Sequence, residues 1–158
     1  LMKIANDLRL MNSGPNGGLG EIVLPKVQQG STTMPGKVNP VMAEMTMQCA
    51  IKVIANDTAI TMAAAHGEFE FNAFMPLIAD SLLESLELMT SSARLFREKC
   101  IEPLQVNEKN CRKHLEASSA FAASYVPALG YDQVSRIIRD CSPEEAVKEL
   151  KKCMEQKE

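Results

Sequence analysis

Pro40 to His66 reads PVMAEMTMQCAIKVIANDTAITMAAAH, and this stretch decides the fold. Met42, Met45, Cys49, Val53, Asn56, Ile60 and Ala63 recur at spacings of three and four, the period of a helix. The opposite face carries Val41, Met47, Ala50, Ile51, Ile54 and Ala59, so little of the circumference is polar. A helix that is apolar nearly all round belongs inside a bundle. One short chain cannot bury such a helix well.

Downstream, Gly67 to Ala73 interrupts the pattern and Pro76 stands where the first turn of a helix tolerates it. Leu77, Leu82, Leu86, Met89, Ala93 and Phe96 then continue a second long helix to about Lys99. Beyond Ile101-Glu102-Pro103 the chain is more polar, with Asn107 opening a short amphipathic helix and further apolar stretches near Phe121 to Val126. Ser142-Pro143-Glu144-Glu145 is a helix start with a capping box. The expectation is an all-α chain: residues 1–102 form the end of a long-helix bundle, and residues 103–158 a small helical carboxy-terminal domain.

Upstream, Ile4 to Met11 read as the last turns of a helix that stops at a run of turn formers beginning at Asn12. From Leu19 to Gly36 neither helical nor strand periodicity is present, and Pro25, Gly30, Pro35 and Gly36 mark an extended loop. Its end, Gly30-Ser31-Thr32-Thr33-Met34-Pro35-Gly36-Lys37-Val38-Asn39-Pro40, presents three hydroxyls, a cation and an amide just before the long helix. Such a loop suits a small anion: the helix start adds partial positive charge, Lys37 can neutralise a carboxylate, and Gly30 and Gly36 can act as hinges. A polar surface loop with an ordinary lysine has the same composition. The order of Gly, Lys and hydroxyl residues does not fit a phosphate-binding GxxxxGK[ST] loop.

This stretch resembles the GSSxMPxKxN signature of the aspartase/fumarase superfamily, with Thr32 in place of the second Ser. Ser13-Gly14-Pro15, Gly20-Glu21-Ile22, the stretch Val53 to Ala64, and Gly67 to Asn72 resemble further elements of that family. Aspartate ammonia-lyase fits best among its branches, through Asn56-Asp57-Thr58-Ala59-Ile60-Thr61-Met62-Ala63-Ala64, Glu98-Lys99-Cys100-Ile101 and Asn107-Glu108, while Met45-Thr46-Met47 and Gly67-Glu68-Phe69-Glu70 also resemble class II fumarase. The resemblance implies reversible elimination from a small dicarboxylate to fumarate, with ammonia leaving from aspartate or water from malate. It implies Ser31 as the base at the substrate Cβ, Lys37 and Asn39 as holders of the substrate carboxylates, and Glu44 as a supporting residue. Glu21, Thr32 and Thr33 come out as structural members of the loop. No organic cofactor and no metal is implied. The family assembles as a homotetramer with each active site built from three subunits.

Two departures bear on function. Asn16 stands where the family usually has Arg, which removes a cation near the loop. The family's upstream Thr/Ser motif and its His-bearing motif have no counterpart, so the isolated chain is expected to be inactive. A non-catalytic helical oligomerisation module that keeps the loop as a relic is the rival reading.

Bulk properties narrow the rest. With 46% apolar residues the 158-residue chain can build a core, and 4% aromatics with ten Met fit helix-on-helix packing. A net charge of −3 with interspersed signs offers no basic stripe for nucleic acid. No apolar run approaches the roughly 20 residues of a membrane-spanning helix, so a cytosolic protein is expected. Five widely spaced cysteines read as reduced structural thiols, and His66 and His114 as structural or solvated. A chain that begins Leu1-Met2-Lys3 leaves open whether it was cut from something longer.

Overall fold

The computed structural model describes residues 1–14 and 16–156; Pro15 of the Ser13-Gly14-Pro15 element lies outside them. The all-helical expectation holds. Two compact units divide the chain, Leu1–Val106 and a second beginning at Asn107.

The first unit is built on a hairpin of two long helices, α2 (Val41–Ala64) and α3 (Met75–Phe96), with α1 (Met2–Met11) packed on α2. Apart from Phe96 at the end of α3, the side chains that the two helices bury are small or polar: Ala43, Thr46, Asn56 and Ala63 of α2, and Ser81, Ser85 and Ser92 of α3. Small side chains let the two backbones approach, and each buried hydroxyl or amide finds a partner. Thr46 Oγ1 donates to the Met42 carbonyl at 2.8 Å, and Ser85 Oγ to the Ser81 carbonyl at 2.7 Å. Asn56 bridges the hairpin, its Nδ2 donating to Glu84 Oε2 at 2.8 Å, Ser85 Oγ at 3.1 Å and the Ser81 carbonyl at 3.3 Å. Lys52 Nζ closes the network at 2.9 Å from both Asn56 Oδ1 and Glu84 Oε2. The hydrogen bond from Lys52, followed by that from Asn56, holds the Glu84 carboxyl below its ordinary value. The pair therefore contributes at neutral pH and loses that contribution as pH falls through the lowered value.

The large apolar side chains of the hairpin point the other way. Ile51, Ile54 and Met62 of α2, and Leu77, Leu82, Leu83, Leu86 and Met89 of α3, are exposed. At the hairpin tip Phe69, Phe71 and Phe74 are exposed as well. His66 closes the end of α2: its Nδ1 lies 2.7 Å from the Met62 carbonyl and its ring packs on Phe74.

The apolar core of this unit lies instead where α1 meets the foot of α2. Ala5, Ile22, Leu24, Ala43, Phe96 and Cys100 cluster there, with Leu8, Met11, Met42, Met47 and Leu104 against them. Burial pushes the Cys100 thiol up, as expected of a structural cysteine. A π-helical turn, Arg97–Ile101, brings Cys100 into this core. The sequence pattern indicated no strand, but β1 (Ile22–Val23) pairs antiparallel with β2 (Gln105–Val106). Two residues are too few to show alternation, and the pairing is set by contacts distant in sequence.

The second unit contains α4 (Glu108–Ala117), a 3₁₀ turn (Ala120–Tyr125), α5 (Val126–Leu129), α6 (Tyr131–Asp140) and α7 (Pro143–Glu155). Asn107 caps α4, its Oδ1 accepting from the Asn110 amide at 3.3 Å, and Ser142 with Glu145 forms the capping box expected for α7. Ala122, Leu129, Val134 and Leu150 form its core.

Asn56→Ala removes the amide at the centre of this network and strips partners from Lys52, Ser85 and Glu84. The expected loss is about 2 kcal/mol, read as a lower midpoint with unchanged slope in urea denaturation of this chain.

Candidate functional site

The loop before α2 is positioned from both ends. At its start, the Leu24 amide donates to Asn12 Oδ1 at 2.8 Å, the Glu21 amide to the Met11 carbonyl at 2.9 Å and the Gly20 amide to the Ser13 carbonyl at 2.7 Å. Ile22 and Leu24 are buried beside α1 and α2, which anchors the chain where the loop departs. At its end the loop runs into the first turn of α2.

Between these anchors the loop closes on itself. The Gly30 amide donates to the Lys37 carbonyl at 3.1 Å, and Asn39 Nδ2 donates to the Gly30 carbonyl at 3.0 Å. Gly30 has to be glycine, because a Cβ there would lie 2.2 Å from the Lys37 carbonyl oxygen. Gly36 turns the chain back with φ of +79°, a left-handed conformation that side chains resist.

Inside the closed loop, Ser31 Oγ accepts hydrogen bonds from the backbone amides of Thr33 and Met34, each at 3.1 Å, and lies 3.2 Å from Thr33 Oγ1. A serine at the head of a turn makes such bonds for structural reasons alone. Ser31 is also one of the residues that line a concavity of about 390 Å³, with Lys26, Gln29, Thr32, Met34 and Lys37 among others. Two cations, two hydroxyls and an amide around one hollow fit a small molecule with two carboxylates.

The family described as Lyase matches residues 1–55. The chain is 45% identical over 140 residues to an aspartate ammonia-lyase of Bacillus subtilis, covering 89% of this chain and 30% of that protein. It is 43% identical over 139 residues to a class II fumarate hydratase of Brucella suis, covering 88% of this chain and 30% of that protein. A crystal structure of class II fumarase from Schistosoma mansoni superposes with a TM-score of 0.84 at 36% identity, covering 95% of this chain and 32% of that one. The chain belongs to the aspartase/fumarase superfamily of lyases. It spans about 30% of the length of the curated relatives it matches.

Within this superfamily member the residues expected from the sequence fall into three places. Ser31 and Lys37 share the concavity. Asn39 is not among the residues that line it, and its amide nitrogen is engaged in closing the loop on the Gly30 carbonyl. Glu44 lies in the first turn of α2, outside the lining of the hollow, with its carboxylate 3.6 Å from Arg9 Nε. That half-exposed pair anchors α1 to α2 weakly. Among the described residues no group of His, Cys, Asp and Glu could hold a metal ion. Lys26 and Gln29 escaped the sequence reading because they lie outside the motif: Gln29 directly precedes Gly30, and Lys26, four residues before Gly30, reaches the hollow through the path of the loop.

Gly30→Ala forces the base of the loop apart. The expected result is about tenfold faster amide exchange at residue 30, as one hydrogen bond is lost, with the α2 amides unchanged, measured by hydrogen exchange NMR on this chain.

Proposed function

We propose that this chain is the carboxy-terminal portion of a lyase that converts aspartate reversibly to fumarate and ammonia. The observation that carries the reading is the Ser31 hydroxyl, which accepts two backbone amides beside a hollow that also holds Lys37 and Lys26. Ser31 is the base that takes the Cβ proton, and Lys37 and Asn39 hold substrate carboxylates, with Lys26 as a further cation. Removing a proton next to a carboxylate builds an aci-carboxylate with added negative charge, so donors that tighten as charge grows lower the barrier.

Magnitudes show what else the site must supply. Two charge-assisted hydrogen bonds at about 1.5–3 kcal/mol each favour the alkoxide and push the pKa of the hydroxyl down. An alcohol, which ordinarily ionises only far above neutral pH, is not brought to neutrality by that alone. The Lys37 charge, the start of α2 and exclusion of water on loop closure have to provide the remainder. An open loop is therefore a resting state, and closure over substrate is part of the mechanism.

The site is completed by segments beyond this chain and by other subunits, so the chain alone does not turn over. Ile51, Ile54, Leu82, Leu86 and their neighbours, exposed along the hairpin, are the face by which copies of the intact protein form a homotetramer with a common helical core. No helix among the described residues is long and apolar enough to cross a membrane, and a cytoplasmic location is part of this proposal. A class II fumarase is the second reading, favoured by the 43% identity to the Brucella suis fumarate hydratase and by Met45-Thr46-Met47.

Ultraviolet absorbance of fumarate distinguishes these. The intact protein is expected to turn over aspartate and not malate, and Ser31→Ala to lower kcat at least ~10³-fold. Turnover of malate alone makes it a fumarase. Silence with both substrates leaves a non-catalytic helical module.

A further inference from the structure

We propose that Thr33 is a positioning residue for Ser31: its hydroxyl is a reversible third partner that accepts from Ser31 Oγ when that oxygen is protonated and donates to it when it is charged. The inference rests on the reading of Ser31 as the base.

The two amides at 3.1 Å can only donate. They occupy both lone pairs of a neutral Ser31 hydroxyl, whose own proton then needs an acceptor. Thr33 Oγ1, at 3.2 Å, is in place to be that acceptor. An alkoxide at Ser31 has a third lone pair, which the amides leave open, and the Thr33 O–H can rotate to fill it. A hydroxyl is the group that serves both states, since it donates or accepts by turning about one bond. Thr33 is β-branched, so its χ1 is restricted and the oxygen is held near Ser31.

Proton bookkeeping is consistent with this. Ser31 in its alkoxide form, having released its proton to solvent, takes the proton from the substrate Cβ on the lone pair that the Thr33 O–H vacates. The C–H electron pair stays on the substrate as the aci-carboxylate. The new Ser31 O–H points to Thr33 Oγ1, while the Thr33 proton turns outward to water. Thr33 itself neither gains nor loses a proton. It occupies the position that the GSSxMPxKxN pattern leaves open, so the pattern does not assign it this task.

Losing a donor to the charged form raises the pKa of the base, and the acid limb of the kcat/KM profile then moves to higher pH. In the intact protein, Thr33→Val keeps the shape without the hydroxyl, and Thr33→Ala removes it without any crowding of the loop. Both are expected to move the acid limb up by about one pH unit and to lower kcat at neutral pH about tenfold, with KM within about twofold. Thr33→Ser is expected to restore the wild-type limb. An unmoved limb in Thr33→Val or Thr33→Ala, or a Thr33→Ser variant that fails to restore it, overturns the proposal. Ser31→Ala run in parallel separates the two levels. If it abolishes turnover while the Thr33 variants keep the wild-type limb, only the role of Thr33 falls; if it retains turnover, or if the wild type has none, both fall.

Discussion

The chain crosses itself at one point, where the Gly30 amide meets the Lys37 carbonyl and Asn39 reaches back to the Gly30 carbonyl, and the site depends on that crossing. It converts residues spread along a sequence into a closed loop, turns the Thr33 and Met34 amides onto one hydroxyl oxygen, and brings Lys37 to the same concavity as Ser31. The crossing is possible only because residue 30 has no side chain and residue 36 tolerates a left-handed turn. Buried Ile22 and Leu24 on one side and the start of α2 on the other set where the closed loop stands. Loop geometry and fold are thus coupled through backbone hydrogen bonds more than through side-chain packing.

The long helices obey a different constraint. Apart from Phe96, the side chains they bury are Ala, Thr, Ser and Asn, while many of their large apolar residues are exposed. A monomeric hairpin usually has this pattern the other way round, with the large residues inside. The arrangement follows from the near-uniform apolarity of Val41 to Ala64: no orientation of that helix in a chain of this size hides all of its surface. Asn56 and the Lys52–Glu84 pair then supply a polar clasp that fixes the register of the hairpin, a task apolar packing between small residues performs poorly.

Much of this was legible in the sequence because it is local. Three-and-four spacing located α2 and α3 to within a few residues, Ser142 with Glu145 marked α7, and the motif from Gly30 to Pro40 marked the loop. What escaped was set by distant contacts or by weak local signals. Ile22–Val23 forms a strand only because Gln105–Val106 returns beside it. The helix α6 was absent from the reading, although Val134, Ile137 and Ile138 have helical spacing, because it is short and begins at Gly130 without a side-chain cap. Asn56 counted in the sequence as one position of the helical repeat, whereas its buried amide bridges two helices. Lys26 and Gln29 join the site through the path of the loop, which no spacing rule encodes.

The most direct test of the central claim is a crystal structure of the intact protein with bound succinate, an unreactive four-carbon dicarboxylate. The account predicts Ser31 Oγ within about 3.2 Å of the Thr33 and Met34 amide nitrogens and about 3.5 Å from a methylene carbon of the ligand, with Lys37 on a carboxylate. A ligand bound elsewhere, or a Ser31 side chain rotated off the two amides while the loop covers the ligand, would contradict it.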